Sequence, residues 1–147
     1  MTGSTPFPLP TQMSAHLTRV KQYWEGLKRA ENAIPFWDDV NPSALPELEN
    51  ALMLIEVFER PRRFRFNMAG ERIVQSYGAP FAGEFVDGLD AKSPLHYFVA
   101  QASVTVEGGQ PTYYRHESGQ VQDYGRILLP LWGDGRVKML LGAVAFE

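Results

Sequence analysis

The stretch VQDYGRILLPLWGDGRVKMLLGAVAF, residues 121–146, decides the fold. Gly133-Asp134-Gly135 separates two apolar runs and supplies the positive backbone angles that a tight hairpin demands. Val121 to Trp132 and Val137 to Phe146 are therefore predicted to be antiparallel strands. Immediately upstream, Thr112 to Glu117 reads as a third strand, with Ser118-Gly119 as the second turn. The last third of the chain is thus a three-stranded meander.

Working outward, Ser93-Pro94 is read as the start of a helix that runs to Glu107 and stops at Gly108-Gly109. Leu95, Phe98, Val99, Ala102 and Val106 lie on one face of it. Residues 79–90 hold Pro80, Gly83 and Gly88 among Phe81, Phe85 and Leu89 and are expected to be irregular. Gly70 to Tyr77 reads as a short helix ended by Gly78. Before it, Ala51 to Phe58 is almost wholly apolar. Arg63 to Met68 alternates, with Phe64, Phe66 and Met68 on one face and Arg63, Arg65 and Asn67 on the other. These are two strands joined by a turn containing Pro61.

Further toward the N-terminus, residues 35–42 form a connector in which Asn41 caps a turn begun by Pro42. Residues 14–32 are predicted as an amphipathic helix carrying Met13, Leu17, Val20, Trp24, Leu27 and Ile34 on its apolar stripe. That stripe must bury against the chain's own sheet or against a second copy of itself, so Leu17, Val20, Trp24 and Leu27 are the candidate dimer residues. Residues 1–10, with Gly3, Pro6, Pro8 and Pro10, read as a flexible leader, and residues 11–147 as a single domain. Two strands, small helices and three strands, in that order, argue an α+β architecture over a doubly wound sheet.

Composition narrows the function. The 147 residues, 44% of them hydrophobic, are enough for a core without disulfides or metal, and a formal net charge of -3 leaves no basic excess to neutralise nucleic acid. The cysteine count is zero, which removes thiolate chemistry and fits a cytoplasmic location. No apolar run reaches the length of a membrane span, and the N-terminal residues lack signal-peptide character. No Gly-x-Ser-x-Gly elbow occurs, and nothing in the sequence ties a serine to a histidine and an acid or places two carboxylates together, so the chain reads as a non-enzyme.

Several local fragments, taken in order, resemble one family. They are Tyr23-Trp24-Glu25, Pro35 with Asp39-Val40-Asn41-Pro42, Arg65-Phe66-Asn67-Met68-Ala69-Gly70, Tyr77-Gly78, Phe81-Ala82-Gly83 and Leu128-Leu129-Pro130-Leu131. Together with the element order, they are similar to the short stand-alone PAS (Per-Arnt-Sim) proteins of proteobacteria. Asp39-Val40-Asn41-Pro42 stands where the family pattern has an acidic residue, isoleucine and Asp-Pro, and Arg65-Phe66 stands where an arginine-leucine pair is common. The resemblance implies a five-stranded antiparallel sheet with small helices over one face enclosing a pocket, and a leading helix that often dimerises. It implies a sensory or interaction module in signalling that binds a small ligand or a protein partner. PAS domains as a class accept haem, flavin, small organic acids or nothing, so the residues must choose.

The absence of cysteine rules out the flavin photoreceptor chemistry of the superfamily. No cofactor is required by the sequence. A haem would need an axial ligand, and His96 is the one candidate, although it lies beside the apolar face of its helix. His16 and His116 read as surface residues. Phe66, Met68, Tyr77, Phe81, Phe85, Phe98 and Tyr113 either line a pocket for a small apolar or aromatic ligand or form ordinary core. Arg60, Arg62, Arg63 and Arg65 form either an acidic-partner site or a solvated sheet face. The competing architecture is a cone-shaped NTF2-like α+β enzyme, which would need an acid or histidine inside its pocket.

Overall fold

A computed structural model describes residues 7–117, 119 and 122–147. The expected hairpin forms from β4 (Tyr124–Gly133) and β5 (Arg136–Phe146), with Asp134 and Gly135 at the tip in left-handed conformation. With β1 (Leu52–Phe58), β2 (Arg63–Ala69) and β3 (Thr112–His116) it makes one antiparallel sheet of order β2-β1-β5-β4-β3. This is the PAS-like arrangement and not the NTF2-like alternative. Val121 and Ser118, placed above in β4 and in the turn before it, lie outside the described residues.

Both faces of the sheet are covered, so the central strands read as nearly continuous apolar runs. On one face lie α2 (Glu71–Tyr77) and α3 (Phe98–Gly108), packed over Ile55, Phe64, Phe66, Leu128 and Leu140. On the other lies α1 (Ala15–Gly26), packed with Leu45 and Leu48 over Leu52, Ile127, Leu129, Leu131, Leu141 and Ala143. No described helix is long and apolar enough to cross a membrane.

The helix α1 starts at Ala15 behind the cap Ser14, whose Oγ accepts the Leu17 amide at 3.2 Å. It ends at Gly26, six residues short of the expected Asn32. Glycine is a poor interior residue, the Leu27 amide closes a tight turn on Trp24 O, and Ala30 takes a left-handed backbone. Leu17, Val20 and Trp24 are 1–2% exposed against the chain's own sheet, and Leu27 is half-buried. Of the two partners the sequence offers this stripe, its own sheet or a second copy, the chain's own sheet is the one it packs on in the single chain. Ile34 leaves the stripe and packs on the opposite face of the sheet.

What holds α1 is specific. β3 reaches along β4 only as far as the pair Thr112↔Leu128. Beyond that point, Trp24 Nε1–H donates to Pro130 O at 2.8 Å and the Trp132 amide donates to Pro35 O at 2.8 Å. The connector 35–42 and the helix together finish the strand that β3 leaves open. Of the expected leader, residues 1–6 lie outside the described ones. Phe7 O accepts the Tyr113 amide at 3.0 Å, and Leu9 packs beside α1.

Two expectations fail for reasons that local sequence does not carry. Ile55 pairs with Phe66 but Leu54 pairs with Met68, so Asn67 is the extra residue of a bulge. The bulge reverses the alternation, and Met68 packs on the α1 face instead of beside Phe64 and Phe66. The helix predicted from Ser93 begins only at Phe98, after Tyr97 in a left-handed conformation (φ 58). The carbonyls of Pro94 and His96, which a helix would use internally, are instead taken by the guanidinium of Arg126.

Candidate functional site

Arg126 is the centre of the site. It stands on β4 among apolar neighbours, and its side chain is fully buried on the α3 face. The register sets Tyr114 opposite Arg126 and His116 opposite Tyr124, so these four side chains share one face of β3 and β4. Arg126 Nε–H donates to Gln101 Oε1 at 2.8 Å, Nη1–H to Pro94 O at 3.0 Å and Nη2–H to His96 O at 2.8 Å. The guanidinium also lies 5.0 Å from the ring centres of Phe98 and Tyr114.

The remaining buried polar residues serve this arginine. Gln101 Nε2 donates to Thr112 Oγ1 at 3.0 Å and to Arg126 O at 3.3 Å, while the hydroxyls of Thr105 and Thr112 pair at 2.7 Å. Gln101 is thus held with its carbonyl toward Arg126. Burial pushes the Arg126 pKa down to about 10, which leaves the group charged at neutral pH. No carboxylate forms an ion pair with it among the described residues.

Above the arginine sits a histidine pair. The rings of His96 and His116 stack at 3.9 Å with a 2° interplanar angle. His96 Nδ1 is 2.8 Å from Tyr124 Oη, and His116 Nδ1 is 2.7 Å from Tyr114 Oη. Burial raises the pKa of Tyr114, and that of Tyr124 to about 12, so both phenols keep their protons. Tyr124 Oη accepts the His96 amide at 3.2 Å and meets the ring of the same residue at Nδ1. Burial, then the charges of His116 and Arg126, hold the His96 pKa below the ordinary histidine range. The cluster presents donors around one positive charge, the chemistry of holding an acceptor in place.

The sequence-predicted pocket set divides three ways. Phe66, Phe81, Phe98 and Tyr77 do come together, with ring centres 4.6–5.2 Å apart along the chain of contacts, as filled aromatic core. Met68 and Tyr113 pack on the α1 face of the sheet. Phe85 lies outside β2, against Phe58 and under the Arg63 guanidinium at 3.7 Å. His96 is close to the site but does not fit as an axial ligand for haem. Its ring face is covered by the stacked His116, and the adjoining core is filled by Phe66, Phe81 and Phe98. Among the described residues no three histidines or carboxylates gather as a metal site.

The arginine cluster is largely neutralised within the chain. Arg62 pairs with Glu59 and Glu107, Arg63 with Asp87 at 2.8 Å and Arg65 with Glu56 at 2.6 Å. Open clefts lie at the surface. One of about 650 Å³ is bounded by Phe7, Leu9, Val104, Gln110 and Thr112, and another of about 470 Å³ by His16, Asn50, Arg72, Gln75 and Phe146.

Sequence reasoning missed Arg126, Gln101, Tyr114 and Tyr124, and it placed His116 at the surface. The available signal was Arg126 itself, a charge leading an otherwise apolar strand whose both faces had to be covered.

Comparison with known proteins returns one family, described as PAS domain, whose pattern matches residues 12–89. No curated protein matches the chain. The match runs from α1 through α2, and the Arg126 cluster lies beyond it except for the general placement of the sheet. With more than half of the 147 residues matched and the expected five-stranded sheet in place, the chain belongs to the PAS domain family.

Proposed function

We propose that this PAS domain is a non-catalytic sensory module in signalling, which takes a small ligand on the α2–α3 side of its sheet and answers through α1 on the other. The observation that supports this reading is the double use of β4. Arg126 on this strand holds the turn before α3, and four residues later Pro130 O holds Trp24 of α1. A change in what Arg126 binds acts on the strand that anchors the helix. The family's role in sensing and interaction supports the same reading. A protein partner would then meet a surface that α1 changes by shifting, and a second copy would need a surface other than the buried Leu17, Val20 and Trp24 stripe.

Native mass spectrometry of protein freshly purified from its own host, set against a denatured sample, tests this. A reproducible small-molecule mass present only in the native spectrum is expected. The bare chain mass at every charge state would refute the ligand-sensing reading.

A further inference from the structure

We propose that the stacked rings of His96 and His116 form a proton-operated latch, which holds the turn at residues 93–97 on β3 and β4 while both are neutral and frees the start of α3 when one takes up a proton. The proposal goes beyond the ligand-sensing reading, since it needs no bound molecule. The turn carries His96, β3 carries His116, and the rings lie face to face at 3.9 Å with a 2° interplanar angle. Each ring is fixed at one edge by a phenol of the sheet, His96 Nδ1 by Tyr124 Oη at 2.8 Å and His116 Nδ1 by Tyr114 Oη at 2.7 Å. Both histidines are half-buried, so protons from solvent reach them.

Positive charge is what this arrangement accommodates poorly. Two imidazoliums at 3.9 Å would repel each other strongly. A fixed charge already stands beneath them, because Arg126 Nη2–H donates to the carbonyl of His96 itself at 2.8 Å. The other groups facing the pair are Tyr124 of β4, Tyr114 of β3 and Tyr97 in the turn, which meets Tyr114 edge-on. Phe146 of β5 packs on Tyr124 and carries Arg72 of α2 over its ring. Asp90 acts on Arg126 through space, and no carboxylate pairs with either histidine among the described residues. Burial, then His116 and Arg126, accordingly hold the His96 pKa below the ordinary histidine range. Once the turn lifts and the ring reaches water, it takes its proton near the ordinary value of about 6.5. Opening therefore binds protons, so the latch is closed above that value and loosens as pH falls through the lowered one.

The amides of Leu95 and Phe98 close the turn on Lys92 O at 2.8 Å and Leu95 O at 3.1 Å, which makes them the reporters. In the full-length protein, amide hydrogen exchange, corrected for the intrinsic effect of pH, should show their protection falling by at least about tenfold between about pH 7.5 and about pH 5.5. Leu128 and Leu140, in the middle of the sheet, should keep theirs. His96→Gln should abolish the change; if H96Q does not fold, His116→Gln, which removes the stacking partner, should shrink it. Protection of the turn that does not fall with pH, an equal fall in the sheet, or the full change retained in the folded variant would each overturn the proposal. A co-purifying small molecule together with a turn indifferent to pH would remove the latch and leave the ligand-sensing reading. A bare chain whose turn opens in acid would do the reverse.

Discussion

Replacing Trp24 with phenylalanine isolates the bond that ties α1 to the sheet. In the native chain Trp24 is 2% exposed, and its Nε1–H donates to Pro130 O at 2.8 Å. Phenylalanine keeps a ring on the same stripe but removes the donor, leaving a buried carbonyl unpaired at a cost of about 1–3 kcal/mol. The smaller ring also leaves roughly 40 Å³ unfilled, which at about 24 cal/mol per Å³ adds about 1 kcal/mol. The expected loss is therefore about 2–4 kcal/mol. With a urea slope near 2 kcal/mol/M, the unfolding midpoint should fall by about 1–2 M. Far-UV circular dichroism is the appropriate probe, because it does not depend on the tryptophan being replaced. A midpoint unchanged within error would show that the Trp24 bond does not hold α1, and the route from β4 to α1 would fall with it. The same titration at several protein concentrations examines the dimer alternative. If α1 paired with a second copy, the midpoint would rise with concentration, whereas a helix docked on its own sheet gives a constant value.

The histidine stack gives stability a pH dependence of definite sign. The His96 pKa is lowered in the folded chain by burial, then by His116 and Arg126, so the unfolded chain binds the proton more readily. Stability should be full above the ordinary histidine pKa of about 6.5 and decline as pH falls through the lowered folded value. His96→Gln should flatten this slope in urea titrations run from about pH 7 down into the acid limb; an identical slope in the variant would assign it to other groups. Gly70→Ala should be among the most damaging single-methyl changes. The added Cβ would overlap the backbone carbonyl of Asn50, with Glu49 O at 2.8 Å, and backbone cannot turn aside as a side chain can. A loss of about 3 kcal/mol in thermal or urea unfolding is expected, and a near-native midpoint would mean that the segment before β1 yields easily.

The elements legible in the sequence are those whose causes are local. Alternation along residues 63–67, the turn at Gly133-Asp134-Gly135, the Ser14 and Asn41 caps and the stop at Gly78 each depend on residues within a few positions of one another. For that reason the strand order in sequence, the short helix 71–77 and the α+β class could be read directly. The aromatic residues Phe66, Tyr77, Phe81 and Phe98 were legible as a group because large apolar rings must be buried, although burial alone does not distinguish lining from filling.

What only the tertiary structure decided involves partners far apart in the chain. The start of α3 depends on Arg126, some 30 residues away, competing for the carbonyls of Pro94 and His96. The side to which Met68 points depends on a bulge whose register is set across β1 and β2. His96 and His116, unremarkable at 20 residues' separation, become a stack because the turn at 93–97 is drawn over β3. By itself the sequence determined which segments become strands and helices, since torsional preference and apolar periodicity act over a few residues. The tertiary structure decided which polar groups meet, because a buried charge takes its hydrogen bonds wherever folding brings acceptors within about 3 Å.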